Sequence, residues 1–359
     1  MMWLAWRQFR SQALVLAFAV AVFAVIFGVT APHLFHIYDT IVKPCASHGD
    51  CGSTQGAFLN NYDFYEHLVQ ASIIFPALLG AFLGAPLVAR EFENDSFRLA
   101  WTQSETRARW LSAKLLVAGA GCVVAVGLFT LMATLWSRPW DHVNNLPYST
   151  FDVRDIVPLG YAAFAFAFGV AAGAVLRRTL PAMAVTLVAF GLVRFYFTEK
   201  IRPLFRTPLR YVSRYTLPFS TRGGGVIVSR APNQADWIVT DQTVNKAGVV
   251  IGEHGGIGAN GDINFNNTGG GHASFGGVGR CPNRFPPPPK HLGRGVINGG
   301  PSHAMLEAMQ KCVASFHLRT IVTYEPVSRF WSLQWMELGS YLVLAALLFT
   351  FTIWWVRRH

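Results

Sequence analysis

The sequence predicts an all-α, polytopic membrane domain that carries one smaller domain outside the membrane. Two observations support this fold class. First, 52% of the 359 residues are hydrophobic and only 14% are charged, whereas an ordinary soluble domain has about 25% charged residues. Second, the apolar residues cluster into six stretches, each able to supply the roughly 17–25 residues of a membrane-crossing helix. This composition argues against a soluble enzyme.

Six membrane spans are predicted from these stretches. They comprise residues 13–34, 68–88, 115–136, 156–176, 180–197 and 338–356. The first stretch follows Arg7 and Arg10, as a signal peptide core would, but it is longer than such a core and ends in a poor cleavage site. We therefore interpret it as a retained helix. In residues 1–11, Trp3 and Trp6 lie near these arginines, which predicts a short interfacial helix before the first span.

The Lys and Arg residues of the short connections predict how the chain crosses the membrane, because cytoplasmic loops are enriched in them. One side carries eleven, namely Arg7, Arg10, Arg90, Arg98, Arg107, Arg109, Lys114, Arg177, Arg178, Arg357 and Arg358. The other side carries three, namely Lys43, Arg138 and Arg154. Both termini are therefore predicted to be cytoplasmic, and the long segment between spans five and six is predicted to face outward. Since the inner positive charge follows this rule, it does not indicate a nucleic acid partner.

The positions of the cysteines agree with this topology. Four of the five fall on the predicted outer side, where disulfides persist in an oxidising compartment. We predict the pairs Cys45 with Cys51 and Cys281 with Cys312, although other pairings and free thiols stay open. Cys122 lies within span three, where it is most simply a small apolar residue.

Residues 198–334 are predicted to form a small, disulfide-stapled α/β domain outside the membrane. Between Arg222 and Gly300 this segment holds 19 of the chain's 33 glycines. Strands are predicted from short β-branched runs at 225–229, 237–240, 249–251 and 320–324, and a helix from the apolar spacing of 302–316. Because its histidines lack the ligand spacings of zinc sites, no metal site is predicted. The predicted domain division is therefore 1–197, 198–334 and 335–359.

The connection between spans two and three, residues 89–114, carries the strongest functional signal. A loop that only joined two helices could be far shorter. This one contains the carboxylates Glu91 and Glu93, a turn at 94–96, and a short aromatic piece at 97–101. Thr102 and Glu105 then form a capping-box pattern that begins a helix. Large apolar groups beside alternating charges are typical of a surface that docks on another protein. The alternative is a solvated connector.

In this loop the sequence resembles the permease subunits of ATP-binding-cassette (ABC) transporters, of the type 2 exporter class related to the G subfamily. Those proteins have a Glu after the second span, a small-residue turn, a short coupling helix, a Ser/Thr-Arg helix start and a Lys entering the third span. The ATPase-coupling residues expected from this resemblance are Glu91, Glu93, Phe97, Arg98, Trp101, Thr102, Arg107, Arg109 and Lys114. Residues 324–337, which enter the last span, look like actinobacterial members of the class. Within the coupling loop, Gln103 stands where these permeases often have a Pro.

The resemblance implies a division of labour between two kinds of subunit. The chain contains no Gly-x-x-x-x-Gly-Lys-Ser/Thr motif, so it has no phosphate-binding loop of its own. We therefore expect that this chain is not an enzyme and binds no cofactor, and that ATP and Mg²⁺ bind to a separate cytoplasmic ATPase. The other expected partners are membrane lipid and a second permease chain, identical or related, in a bacterial cytoplasmic membrane. The alternative is a membrane-anchored receptor or binding module that uses the outer domain.

Two charged residues lie at the outer ends of predicted spans. Arg194 is near the end of span five, and Glu337 begins span six at a similar depth. An unpaired charge within the apolar zone costs at least about 2.5–3.5 kcal/mol. One hypothesis is therefore an ion pair that closes the outer mouth. The alternative is that Arg194 reaches the lipid headgroups and Glu337 caps its own helix.

Overall fold

The computed structural model describes residues 2–46, 67, 69–93, 107–144, 150–215, 232, 236–252, 254–257, 263–266, 310–312 and 314–358. The chain divides into two compact units, each described by itself. The membrane unit comprises Met1–Arg206 and Ser328–His359, and the second unit comprises Thr207–Val327.

In the described part of the chain, the membrane unit contains six helices that are long and apolar enough to cross a membrane, as predicted. These spans are Gln12–Thr40, Val69–Glu93, Ser112–Pro139, Val157–Leu176, Thr179–Leu204 and Val327–Arg358. The chain is therefore a multi-pass membrane protein. Its main α-helices are Met2–Ile37, Ile74–Leu79, Ala85–Glu93, Arg107–Asn144, Val157–Leu176, Thr179–Tyr196 and Phe330–Arg358. We call the two ends of this unit inner and outer after the predicted orientation.

Span one differs from the prediction at its start. A single α-helix runs without a break over Met2–Ile37, so the predicted interfacial piece is the first part of a longer helix and is not a separate element. The physical reason is that no Gly or Pro occurs between the start of the chain and Gly28. Nothing in residues 1–11 therefore ends the helix before the apolar run begins.

Spans two and four pack closely through small residues. Span two contains a π-helical turn at Gly80–Gly84, and a Cβ atom added to Gly84 would lie 2.5 Å from the carbonyl oxygen of Phe166. In return, a Cβ atom at Gly169 would lie 2.5 Å from the Gly80 oxygen, and one at Gly173 would lie 2.5 Å from the Ala85 oxygen. Each helix thus presents a Gly-x-x-x-Gly pair to the other. Such pairs let helix backbones approach closely in membranes.

The described residues of the second unit form six strands, β1 Leu209–Arg214, β2 Trp237–Val244, β3 Val250–Gly252, β4 His254–Ile257, β5 Ile263–Asn266 and β6 Arg319–Glu325. An antiparallel sheet has the order β1-β6-β2-β3, and β4 pairs with β5. Three predicted strands correspond to β2, β3 and β6. The run at 225–229 and most of the predicted helix at 302–316 lie outside the described residues.

The described residues establish neither of the predicted disulfide pairs. Cys51 and Cys281 lie outside the described residues, and nothing is described for the side chain of Cys45. Both predicted pairs, including the one with Cys312, therefore stay predictions. Cys122 is a free, buried thiol in span three, in agreement with its interpretation as a small apolar residue.

Candidate coupling site and outer charge cluster

At the inner end, an ion pair joins spans two and three. The ammonium group of Lys114 donates a hydrogen bond to the Glu91 carboxylate. Both side chains are largely buried, with 7% of Lys114 and 14% of Glu91 exposed. The contact therefore joins the end of span two to the start of span three, on either side of residues 94–106 in the sequence.

Glu93 makes a second contact at the inner end, with the start of span five. Its carboxylate accepts a hydrogen bond from the backbone N–H of Thr179 at 2.8 Å and another from the Thr179 hydroxyl at 2.6 Å. Thr179 is the first residue of the helix Thr179–Tyr196. A carboxylate at this position caps the helix and complements the positive end of its dipole. Glu93 therefore connects the end of span two to span five.

The structure does not test the remaining predicted coupling residues. Phe97, Arg98, Trp101 and Thr102 lie outside the described residues. Arg107 and Arg109 fall in the helix Arg107–Asn144, but nothing is described for their side chains. A docking surface on this loop accordingly stays a prediction.

At the outer end, four charges and a tyrosine form one connected group, which we call the outer charge cluster. Its members are Asp152, Tyr161, Arg194, Arg202 and Glu337. Arg194 Nη1 lies 3.3 Å from Glu337 Oε1, so the structure brings the two sequence-predicted residues together. Arg202 donates to the same carboxylate through Nε at 2.8 Å and Nη2 at 3.0 Å. Both guanidinium groups also pair with Asp152.

The cluster is balanced in charge, and three of its four charged side chains are buried. Glu337 is fully buried, and Arg194 and Arg202 are 8% and 7% exposed. The hydroxyl of Tyr161 donates to Glu337 Oε1 at 2.6 Å. Burial alone would raise the pKa of Asp152, but the charges of Arg202 and Arg194 hold that pKa below its ordinary value. Two carboxylates and two guanidinium groups therefore neutralise one another, as buried charges require.

The turn at residues 150–156 connects this cluster to span three. Arg154 Nη1 donates to both oxygens of Asp141, at 2.6 and 2.7 Å, and to the Ser137 hydroxyl at 3.1 Å. Arg154 Nε also donates to Asp155 at 3.1 Å. Burial raises the pKa of Asp155, and the charge of Arg154 only partly offsets this rise.

The same turn is bonded to span six. The Gln334 side chain accepts a hydrogen bond from the Val157 backbone N–H at 3.0 Å and donates one to the Phe151 carbonyl oxygen at 3.1 Å. The turn thus contacts spans three, five and six through side chains while its own chain enters span four. One short segment organises the outer end of the bundle.

Sequence reasoning found half of the charged residues in the cluster and missed Arg202 and Asp152. The fifth span was predicted to end at 197, whereas helical structure continues to Leu204. A signal was present, because Arg194, Thr198 and Arg202 follow one another at intervals of four residues and so lie near one face of a helix. Arg194 donates to the Thr198 hydroxyl at 2.6 Å.

Comparison with known families decides the class of this membrane unit. A family described as "ABC-2 membrane transporter related" matches residues 17–202, which is just over half of the chain. The chain belongs to this family. The match covers spans one to five, including the inner contacts and the Asp152, Arg194 and Arg202 part of the outer charge cluster.

Membership of the ABC-2 family makes the chain an ABC-2 type permease in class. Permeases of this family are generally not catalytic themselves and work, in general, with an ATP-binding partner. Comparison with curated proteins and with solved structures gave no significant match.

Proposed function

We propose that this chain is the membrane-spanning permease subunit of an ABC exporter, driven by a separate cytoplasmic ATPase. The observation that carries the proposal is the ABC-2 family match over residues 17–202. The sequence adds a second argument, since it lacks the Gly-x-x-x-x-Gly-Lys-Ser/Thr loop that binds nucleotide phosphates. ATP and Mg²⁺ would then bind to the partner ATPase, which supplies the energy.

In this proposal the coupling loop receives the movement of the ATPase. Phe97 and Trp101 are the aromatic anchors, because buried aromatic side chains carry a large part of the binding energy at protein interfaces. Movement of the loop reaches span three through Glu91 and Lys114. The contact of Glu93 with Thr179 offers a route to span five.

The outer charge cluster is proposed to close the outer mouth of the transport path. Arg194, Arg202 and Glu337 join spans five and six in the apolar part of the chain. Separating these partners would leave charges unpaired, so the closed arrangement is favoured until the inner end supplies energy. In the parent chain the outer mouth therefore stays closed until the ATPase acts.

The assembly is proposed to contain two permease chains, identical or related, in a bacterial cytoplasmic membrane with both termini inside. Support for the orientation comes from the end of span six. Arg357 and Arg358 follow Trp354 there, and the Arg358 guanidinium lies 4.8 Å from the Trp354 ring centroid. Arginines close to the end of a span are enriched on the cytoplasmic side, and Trp is enriched at both membrane interfaces.

The direct test is to purify the full chain from its native membrane in mild detergent. The proposal predicts that an ATPase without membrane spans co-purifies with it and hydrolyses ATP. A stable preparation that holds no ATPase, under conditions in which the chain elutes as a single species, would contradict the proposal. That result would favour the alternative, a membrane-anchored receptor.

The coupling loop is tested in the same preparation. Phe97→Ala or Trp101→Ala should weaken ATPase binding by about 2 kcal/mol, or roughly thirtyfold in affinity, if each is an interface anchor. Trp335→Ala is a matched control, because Trp335 is 62% exposed on span six, away from the loop. ATPase recovery that is unchanged in both loop variants would contradict the coupling role.

A further inference from the structure

Span three carries an ion pair at each of its ends, and each pair joins it to a different element. Lys114 contacts Glu91 of span two at the inner end. Asp141 contacts Arg154 of the 150–156 turn at the outer end. Both residues belong to the single helix Arg107–Asn144. At a rise of about 1.5 Å per residue they lie roughly 40 Å apart, which exceeds the thickness of the hydrocarbon core.

Span three is stiffened along its length by packing against span one. The Phe23 and Phe129 ring centroids lie 4.9 Å apart. The Trp136 indole N–H donates to the Thr30 hydroxyl at 2.9 Å. These contacts support span three as far as Trp136, and the same helix continues past Pro139 to Asp141. We therefore expect a displacement of its inner end to reach its outer end.

The outer ion pair acts on the segment that carries Asp152. Only Val153, which is 2% exposed, separates Asp152 from Arg154. Arg154 is bonded to Asp141 and Ser137 of span three, while Asp152 is paired with Arg194 and Arg202. A displacement of Asp141 is therefore expected to displace the Asp152 carboxylate, with which both arginines of the outer charge cluster pair.

We propose that Asp141 and Arg154 are positioning residues through which span three opens the outer charge cluster when the inner end moves. This inference rests on the proposed function and deepens it. The pathway is contiguous: Glu91, Lys114, span three, Asp141, Arg154 and Asp152. It assigns roles to two residues, Asp141 and Arg154, that touch neither the coupling loop nor the pair first expected at the outer mouth.

The test is a double-mutant cycle on the full chain in lipid nanodiscs, without ATPase. Spin-labelled unnatural amino acids replace Leu204 and Trp331, exposed residues at the outer ends of spans five and six. Pulsed electron paramagnetic resonance then measures the distance distribution between them. Lys114→Gln, which breaks the inner pair, should change the ratio of short to long distances at least twofold.

In the Asp141→Asn background, the same Lys114→Gln change should leave the distribution unaltered, because the connection is already broken. Asp141→Asn is expected to fold, since Arg154 keeps its contact with Asp155 at 3.1 Å. Arg154→Lys, which loses the two-oxygen contact with Asp141 but keeps the charge, is the second variant. Asp39→Asn is the matched control, because among the described residues Asp39 pairs with the exposed Lys43, one helical turn away, at 3.5 Å.

The inference is overturned if Lys114→Gln does not alter the outer distances, or alters them equally in the parent and Asp141→Asn backgrounds. Either result is distinct from a failure of the proposed function, which is judged by ATPase co-purification. A chain that binds an ATPase but shows no coupling refutes the inference alone. Coupling in a chain that binds no ATPase refutes the proposed function alone.

Discussion

A single carboxylate, Glu337, explains how two arginines can lie inside the apolar part of the bundle. It contacts Arg202 through both oxygens and Arg194 through one, and Tyr161 donates to it as well. Buried charges are tolerated when they are paired and hydrogen-bonded. Loss of the pairing partner, by contrast, leaves an uncompensated charge. The residue-scale consequence is that Glu337 should be far more sensitive to neutralisation than an exposed carboxylate.

Glu337→Gln is expected to destabilise the full chain by about 3–5 kcal/mol, because it leaves two guanidinium groups short of negative charge. Glu199→Gln is the control, since Glu199 is exposed at the end of span five and surface changes usually stay within about 0.5 kcal/mol. Thermal unfolding in detergent measures both variants. Equal melting temperatures for the two variants would show that the cluster adds no stability.

At the scale of elements, the crossing of spans two and four depends on glycines at contact positions. Gly84→Ala should cost about 1–3 kcal/mol, since its new methyl group would overlap the Phe166 carbonyl oxygen. Gly127→Ala is the control, because a Cβ atom there meets nothing within 4 Å among the described residues. The measurement is the thermal stability of each variant after extraction from the membrane. A Gly84 variant as stable as the Gly127 variant would contradict this account of the crossing.

The elements also show where sequence reasoning succeeded and where it stopped. Six spans were predictable, because an apolar run of this length typically forms a transmembrane helix. The end of span five was not predictable, because Arg194 and Arg202 interrupt the apolar run. Burial of these two arginines in a helix depends on their ion pairs with other elements. Glu93 was predicted as a coupling residue, which stays a prediction, and its contact with the start of span five was not predicted. No pattern local to residues 89–114 reveals that contact with Thr179.

At the scale of the whole molecule, the family match covers the first part of the membrane unit and does not extend into the second unit. The ABC-2 family match ends at residue 202, close to the end of the first part of the membrane unit at Arg206. The sheet of the second unit lies beyond it, within Thr207–Val327. Its strands β2, β3 and β6 were predictable from β-branched runs. Strand β1 was not, because Val212 is the one β-branched residue in its sequence Leu209–Arg214.

The central claim is that the chain is driven from the cytoplasmic side through the coupling loop. The most direct measurement is the labelling of Trp101→Cys by a membrane-impermeant maleimide, compared with the parent chain. Leu209→Cys in the second unit, an exposed position, serves as the outward-facing control. The account predicts that position 101 is labelled in inside-out vesicles and not in intact cells, while position 209 shows the reverse. Labelling of position 101 in intact cells would contradict it.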